Sequence, residues 1–212
     1  MKTAMGKEEA SMIAIIDYGA GNIKSLQFAL NRLHFNACLT VDETVIQKSK
    51  AIILPGVGAF NNAIAALHKS GLSKTLQTEA KNGKPILGIC LGMQLFYEKS
   101  YEDGEWEGLQ LLNGDISRIS SSVKVPHMGW NTLTQHQDAS LLNGVKKKDY
   151  VYFVHSYKVT NHDQQTLLAS SQYGGDIPAI VQENNIIGMQ FHPEKSGAAG
   201  LQILKNFGEM IS

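Results

Sequence analysis

Lys84-Pro-Ile-Leu-Gly-Ile-Cys90-Leu-Gly-Met-Gln94 is the stretch whose reading decides the fold. Pro85, Ile86, Leu87 and Ile89 make a short apolar run suited to a buried parallel strand, and Leu91, Leu95 and Phe96 then recur at the i, i+4, i+5 spacing of a helix face. The period changes at Cys90. Gly88 and Gly92 flank it two residues to either side, an arrangement in which small residues permit a sharp, strained strand-to-helix turn that presents the central side chain. At a helix N-terminus the positive end of the dipole favours the thiolate, the nucleophilic form of cysteine.

Upstream, strands and helices alternate. Met12 to Ile16 reads as a strand, Asp17 to Gly21 as a glycine-bearing turn, and Asn22 as the cap of a helix carrying Ile23, Leu26, Leu30 and Leu33. Ala37 to Val41 and Ala51 to Leu54 are further strands, with Val45 to Lys48 a short connection between them. Pro55-Gly-Val-Gly58 closes the third strand, and Phe60 to Leu67 and Leu72 to Lys81 supply helices. Such alternation predicts an α/β fold with a parallel sheet, helices on both faces, and chemistry gathered at the carboxyl ends of the strands.

Downstream of Lys99 the texture changes. Short strand-like pieces follow at hairpin spacing, at Ile116 to Ile119, Trp130 to Leu133, Tyr150 to Val154, Leu167 to Ser170, Ala179 to Gln182 and Ile186 to Gln190. They predict an antiparallel extension of the sheet. Ser196 is placed to cap a last helix through Leu201, Leu204 and Phe207.

Composition narrows the function. Nineteen Lys plus Arg balance nineteen Asp plus Glu, so there is no electrostatic footprint for nucleic acid or an anionic membrane. The only basic run, Lys146 to Lys148, is answered at once by Asp149 and reads as solvated loop. Cys38 and Cys90 form neither a disulfide framework nor a metal-ligand cluster, which suits a reducing cytoplasm. No metal or cofactor is called for, and no apolar run approaches a membrane span. Residues 1–11 read as a disordered N-terminal extension with Met12 as an alternative start, and 12–212 as one domain.

A second stretch, Gly188-Met-Gln-Phe-His192-Pro-Glu194-Lys-Ser196, completes the chemistry. Proline disfavours the helical conformation in the residue before it, so His192 should be extended. In an extended chain residues two apart project to one side, which lets Glu194 hold one ring nitrogen while the other faces a thiol. Nucleophile Cys90, base His192 and orienting Glu194 are then all present.

Six motifs occur in order: Asp17-Tyr-Gly-Ala-Gly-Asn22, Pro55-Gly-Val-Gly-Ala-Phe60, Gly88-Ile-Cys-Leu-Gly-Met-Gln94, Val125-Pro-His-Met-Gly-Trp-Asn131, Tyr152-Phe-Val-His-Ser-Tyr157 and Gln190-Phe-His-Pro-Glu-Lys-Ser196. Together they resemble the class I (triad) glutamine amidotransferases, and within them the glutaminase-subunit family of imidazole glycerol phosphate synthase, the HisH family. The resemblance implies a flavodoxin-like three-layer fold. It implies hydrolysis of glutamine to glutamate and ammonia through a thioester on Cys90, with backbone N–H groups of Leu91 and of Gly56, Val57 or Gly58 as oxyanion donors. Gln94, Ser156 and Tyr157 would hold the amino acid end of the substrate. It also implies a heterodimer in which ammonia passes to a (βα)8-barrel cyclase subunit that makes imidazole glycerol phosphate and AICAR in histidine biosynthesis, with His127, Met128 and Trp130 near the interface. A glutaminase subunit feeding another synthetase, such as a surface-sugar amidotransferase, and a stand-alone thiol hydrolase are the contrasting readings. Glycine on both sides of Val57 should let that segment present either a carbonyl or an N–H, so the chain alone is expected to be a latent glutaminase.

Overall fold

The computed structural model describes residues 12–19 and 23–211; the expected cap at Asn22 and the expected extension over 1–11 lie outside the described residues. In chain order the elements are β1 (Ile13–Ile16), α1 (Ile23–Arg32), β2 (Ala37–Thr40), α2 (Glu43–Lys48), β3 (Ala51–Leu54), α3 (Phe60–Lys69), α4 (Leu72–Lys81), β4 (Ile86–Ile89), α5 (Leu91–Gln94), β5 (Lys99–Ser100), β6 (Trp106–Glu107) and β7 (Asp115–Arg118). They continue with β8 (His127–Thr132), β9 (Thr134–Gln135), β10 (Tyr150–His155), β11 (Tyr157–Thr160), β12 (Leu167–Gln172), β13 (Asp176–Glu183), β14 (Ile186–Met189) and α6 (Gly197–Met210), with short 3₁₀ turns between some of them.

Eight strands form one sheet in the order β2-β1-β3-β4-β14-β13-β12-β9. The first five are parallel and the last three antiparallel. The apolar runs explain the parallel half. β1, β3 and β4 are buried along their whole length, as strands covered on both faces must be, and successive residues alternate between two cores. Ile13 and Ile15 pack with Leu26, Leu30 and Phe207 on the side of α1 and α6. Ala14 and Ile16 pack with Ile46, Phe60, Ile64 and Leu76 on the side of α2, α3 and α4. Each fully buried Ile or Phe contributes roughly 1.5–3 kcal/mol. The described residues form two smaller sheets besides: the ribbon β10-β8 and the set β11-β7-β5-β6. No helix of the described residues is long and apolar enough to cross a membrane.

The structure corrects several sequence expectations. Residues 43–48 are a helix rather than a connection, because Asp42 caps it, its carboxylate accepting the N–H of Thr44 at 2.7 Å and of Val45 at 3.4 Å. The helix after Cys90 is a single turn. The carbonyls of Leu95 and Phe96, needed for further turns, are taken by N–H groups of Leu109, Leu111 and Leu112 from a distant loop. Ser196 stands at the start of α6 without a side-chain cap. Its hydroxyl instead donates to the His192 carbonyl at 2.6 Å and accepts the Tyr152 N–H at 2.9 Å.

Candidate active site

β3, β4 and β14 are adjacent and parallel, so the residues that follow them meet at one edge of the sheet: Pro55, Cys90 and Gln190 with His192. Cys90 has φ 55° and ψ −112°, a conformation sparsely used by residues with a side chain, and one that persists only where its surroundings impose it. They do so through close packing. A Cβ on Gly92 would lie 1.8 Å from the carbonyl oxygen of Leu54, and one on Gly88 would lie 2.5 Å from the Phe96 ring. Only glycines let the turn seat itself that tightly between strands.

His192 has the extended backbone expected of a residue before proline, with φ −94° and ψ 98°. Pro193–Lys195 then form a 3₁₀ turn, so it is this turn and not an extended run that brings Glu194 round. Its Oε1 lies 2.9 Å from His192 Nδ1, with the two side chains 5% and 6% exposed. Burial works against a charge on His192, but the neighbouring Cys90 sulfur and the charged, hydrogen-bonded Glu194 carboxylate outweigh it, raising the imidazole to about 10. His192 Nε2 is buried with no close hydrogen bond, and Cys90 is the neighbour it answers to; catalytic contacts are commonly long before substrate arrives. Two neighbours steady this pair. The Tyr152 carbonyl accepts the His192 N–H at 2.9 Å, and the Cys90 thiol lies 3.8 Å from the Val154 carbonyl.

A cavity of about 390 Å³ opens beside the sulfur, lined by Val57, Gly58, Cys90, Leu91, Gln94, Glu102, Pro126, Val154, His155, Ser156 and Tyr157. The structure thus gathers Cys90, Leu91, Val57, Gly58, Gln94, Ser156 and Tyr157 around one space. Gln94 is held rigidly, its amide donating to the Tyr157 carbonyl and to Gln190 Oε1, both at 3.0 Å. Gly58 has φ +98°, the freedom expected there. Gly56 lies outside that region, and its need for glycine is one of space, since a Cβ would lie 2.6 Å from the Tyr18 hydroxyl and 3.0 Å from the Gly92 nitrogen. Of the two glycines flanking Val57, Gly58 is the one held at positive φ.

Of the three expected interface residues, Met128 and Trp130 are 63% and 55% exposed. His127 lies on the same strand but does not present its side chain to the surface. Its side chain is 3% exposed and stacked between Phe153 and Tyr173, at ring-centre distances of 4.6 and 4.0 Å, so it faces inward while its neighbour Met128 faces out, as alternation along a strand requires. Sequence reasoning missed Glu102, Gln190 and His155. Glu102 comes from an irregular loop with no local signal, its Oε2 accepting the Phe60 N–H at 2.9 Å and so capping α3. His155 could have been found, because Val151, Phe153 and His155 alternate on one face of β10 and all are buried.

Chemically, a thiol, an imidazole and a carboxylate gathered beside a cavity can run nucleophilic acyl transfer, with the imidazole carrying the proton between nucleophile and leaving group. The glutamine amidotransferase class-I family model matches residues 14–210. The imidazole glycerol phosphate synthase subunit HisH of Oceanobacillus iheyensis is 61% identical over 200 residues, covering 94% of this chain and 100% of the relative. The subunit of the same name from Caldanaerobacter subterraneus subsp. tengcongensis is 50% identical over 94% of this chain and 98% of its own. Among solved structures, PurLQS from Thermotoga maritima superposes with a TM-score of 0.76 at 18% identity, over 96% of this chain and 100% of that one, a likeness of fold.

Proposed function

This chain belongs to the glutamine amidotransferase class-I family, and from that membership we propose that it is the glutaminase subunit of an imidazole glycerol phosphate synthase, supplying ammonia for histidine biosynthesis. The observation that carries the reading is the buried line Cys90, His192 and Glu194 at neighbouring strand ends, open to the 390 Å³ cavity.

In this reading Cys90 Sγ attacks the side-chain amide carbon of glutamine. The proton held on His192 passes to the departing nitrogen, which leaves as ammonia, and a thioester to Cys90 remains. Water then adds to the thioester with His192 accepting its proton, the carbon–sulfur bond breaks, and glutamate is released. Glu194 fixes the His192 tautomer and stabilises the imidazolium. The oxyanion of each tetrahedral intermediate is met by the Leu91 N–H and by an N–H of the Gly56-Val57-Gly58 segment; losing one such donor costs about 10²–10³ in rate. Gln94 and the backbone at Ser156 and Tyr157 hold the amino acid end. The Glu102 carboxylate on the cavity wall is placed to receive the substrate's ammonium group.

The partner is a (βα)8-barrel cyclase subunit, docked over the face that carries Met128 and Trp130. Exposed aromatic and methionine side chains of that kind are typical anchors of a protein interface. The test is Cys90→Ala in the complex with the partner synthase subunit. Glutamine-dependent product formation should vanish while ammonia-dependent synthesis continues, because only the nitrogen source is lost. Loss of both activities, or survival of the glutamine-dependent one, overturns the assignment.

A further inference from the structure

His127 and His155 are buried, uncharged and absent from the chemistry above, yet every one of their ring nitrogens is used. His155 Nδ1 lies 2.7 Å from the Tyr157 carbonyl, which can only accept, so Nδ1 carries the hydrogen. In a neutral ring Nε2 then accepts, and its partner at 3.0 Å is His127 Nδ1, which must be the donor. His127 Nε2 is left as an acceptor for the Asn131 amide at 3.3 Å, and the other hydrogen of that amide goes to the Gln172 carbonyl at 2.9 Å. One assignment of hydrogens satisfies the whole chain. Burial holds both rings neutral, lowering His127 to about 4 and His155 to about 3.

Packing alone does not ask for imidazoles here. Phe153 and Tyr173 already sandwich His127, and an apolar ring would fill the same space without the cost of burying polar nitrogens. What the imidazoles supply is a directional link. The Tyr157 carbonyl at one end is shared, since it also accepts from Gln94, and Gln94 in turn holds Gln190, whose amide reaches the Cys90 sulfur at 3.8 Å. At the other end His127 and Asn131 sit on β8, the strand whose Met128 and Trp130 point outward. β8 pairs with β10 in register, His127 opposite His155 and Trp130 opposite Tyr152, and Tyr152 is the residue that grips the His192 backbone.

We propose that His127 and His155 are positioning residues, a two-imidazole relay that holds the Tyr157–Gln94 wall of the glutamine pocket in register with the outward-facing strand β8. This rests on the glutaminase reading and adds to it the residues that fix the substrate wall.

The experiment uses the full chain in complex with its partner synthase subunit. His127→Phe keeps the stacked ring and removes both nitrogens, leaving His155 Nε2 without its donor. Glutamine KM should rise about tenfold or more, the cost of one unmade buried hydrogen bond, with kcat changed far less, the signature of lost ground-state placement. The rate of Cys90 alkylation by iodoacetamide should not move. His127→Asn, whose amide N–H occupies the place of Nδ1–H, should recover most of the KM. A KM within twofold of the unaltered complex in His127→Phe, a parallel fall in alkylation, or no rescue by Asn overturns the relay. Should His127→Phe fail to fold, ¹⁵N spectra of the unaltered protein decide: both rings should be Nδ1–H tautomers at pH 7, and an Nε2–H signal from either overturns the proposal. Glutamate release by the unaltered complex runs alongside. Its absence overturns the glutaminase reading, whereas its presence with an unmoved KM in the variant overturns the relay alone.

Discussion

Replacing Glu194 by Gln removes one charge and almost no volume, which makes it the sharpest probe of how His192 works. The carboxylate oxygen lies 2.9 Å from Nδ1, and the two side chains are 5% and 6% exposed. At that separation and an effective dielectric of 20 the attraction between carboxylate and imidazolium is ~6 kcal/mol. The amide carbonyl can still accept the Nδ1–H bond, so part of the interaction survives, and a loss of about 10²–10⁴ in glutamine turnover is expected, the range of impaired acid–base assistance. The thiol should remain open to alkylation, since Cys90 is held by the elbow and not by Glu194. The same variant has a stability signature. His192 is raised from 6.5 to about 10 in the folded protein, burial opposing and Cys90 and Glu194 prevailing, so its contribution is fully present below about pH 6.5 and lost as pH rises through about 10. Glu194→Gln should flatten that alkaline limb. The assays are glutamate release in the complex and urea unfolding from pH 6 to about 10. Turnover within a few-fold of the unaltered complex, with the alkaline limb unchanged, would refute this role for Glu194.

Gly92→Ala should destabilise the fold by about 3 kcal/mol or more, because its Cβ would meet the Leu54 carbonyl oxygen at 1.8 Å and backbone cannot step aside like a flexible side chain; an unchanged urea midpoint would contradict the packing described. Acid should weaken the protein through His127 and His155, both lowered from 6.5 by burial: their contribution is present above about pH 6.5 and lost as pH falls towards 4 and 3. His127→Phe should therefore unfold with a shallower dependence between pH 6.5 and 4.5, and an identical slope would count against neutral buried imidazoles. Glutamate release should be slow for the chain alone and rise about 10²–10³-fold with the cyclase subunit and that subunit's own substrate bound if the Val57–Gly58 peptide supplies the second oxyanion donor only in the assembled state; equal turnover in all conditions would exclude that switch.

Much of this was legible in the residues. The short apolar runs of β1, β3 and β4, each ending at a glycine-bearing turn, fitted buried parallel strands, and the glycines around Cys90 announced a tight turn. What sequence alone missed was set by partners far along the chain. The helix after Cys90 stops after one turn because a loop around residue 110 claims its carbonyls, and no local propensity records that competition. β5, β6 and β9 are two residues long and exist by virtue of what they pair with. Glu102 reaches the cavity from an irregular loop, and His127 meets His155 only through the register of β8 on β10.

The position of β4 also bears on how the molecule is made. Its two sheet neighbours are β3, synthesised shortly before it, and β14, which follows only after β5 to β13 have been made. Until Ile186 to Met189 emerge from the ribosome, one flank of Ile86 to Ile89 has no strand to pair with, and an apolar edge of that kind is a template for aggregation. The nucleophile, made early, meanwhile lacks the base that follows β14. Chains that stop short of Ile186 are thus expected both to be inert and to aggregate, so that the thiol stays quiet until its base has been made.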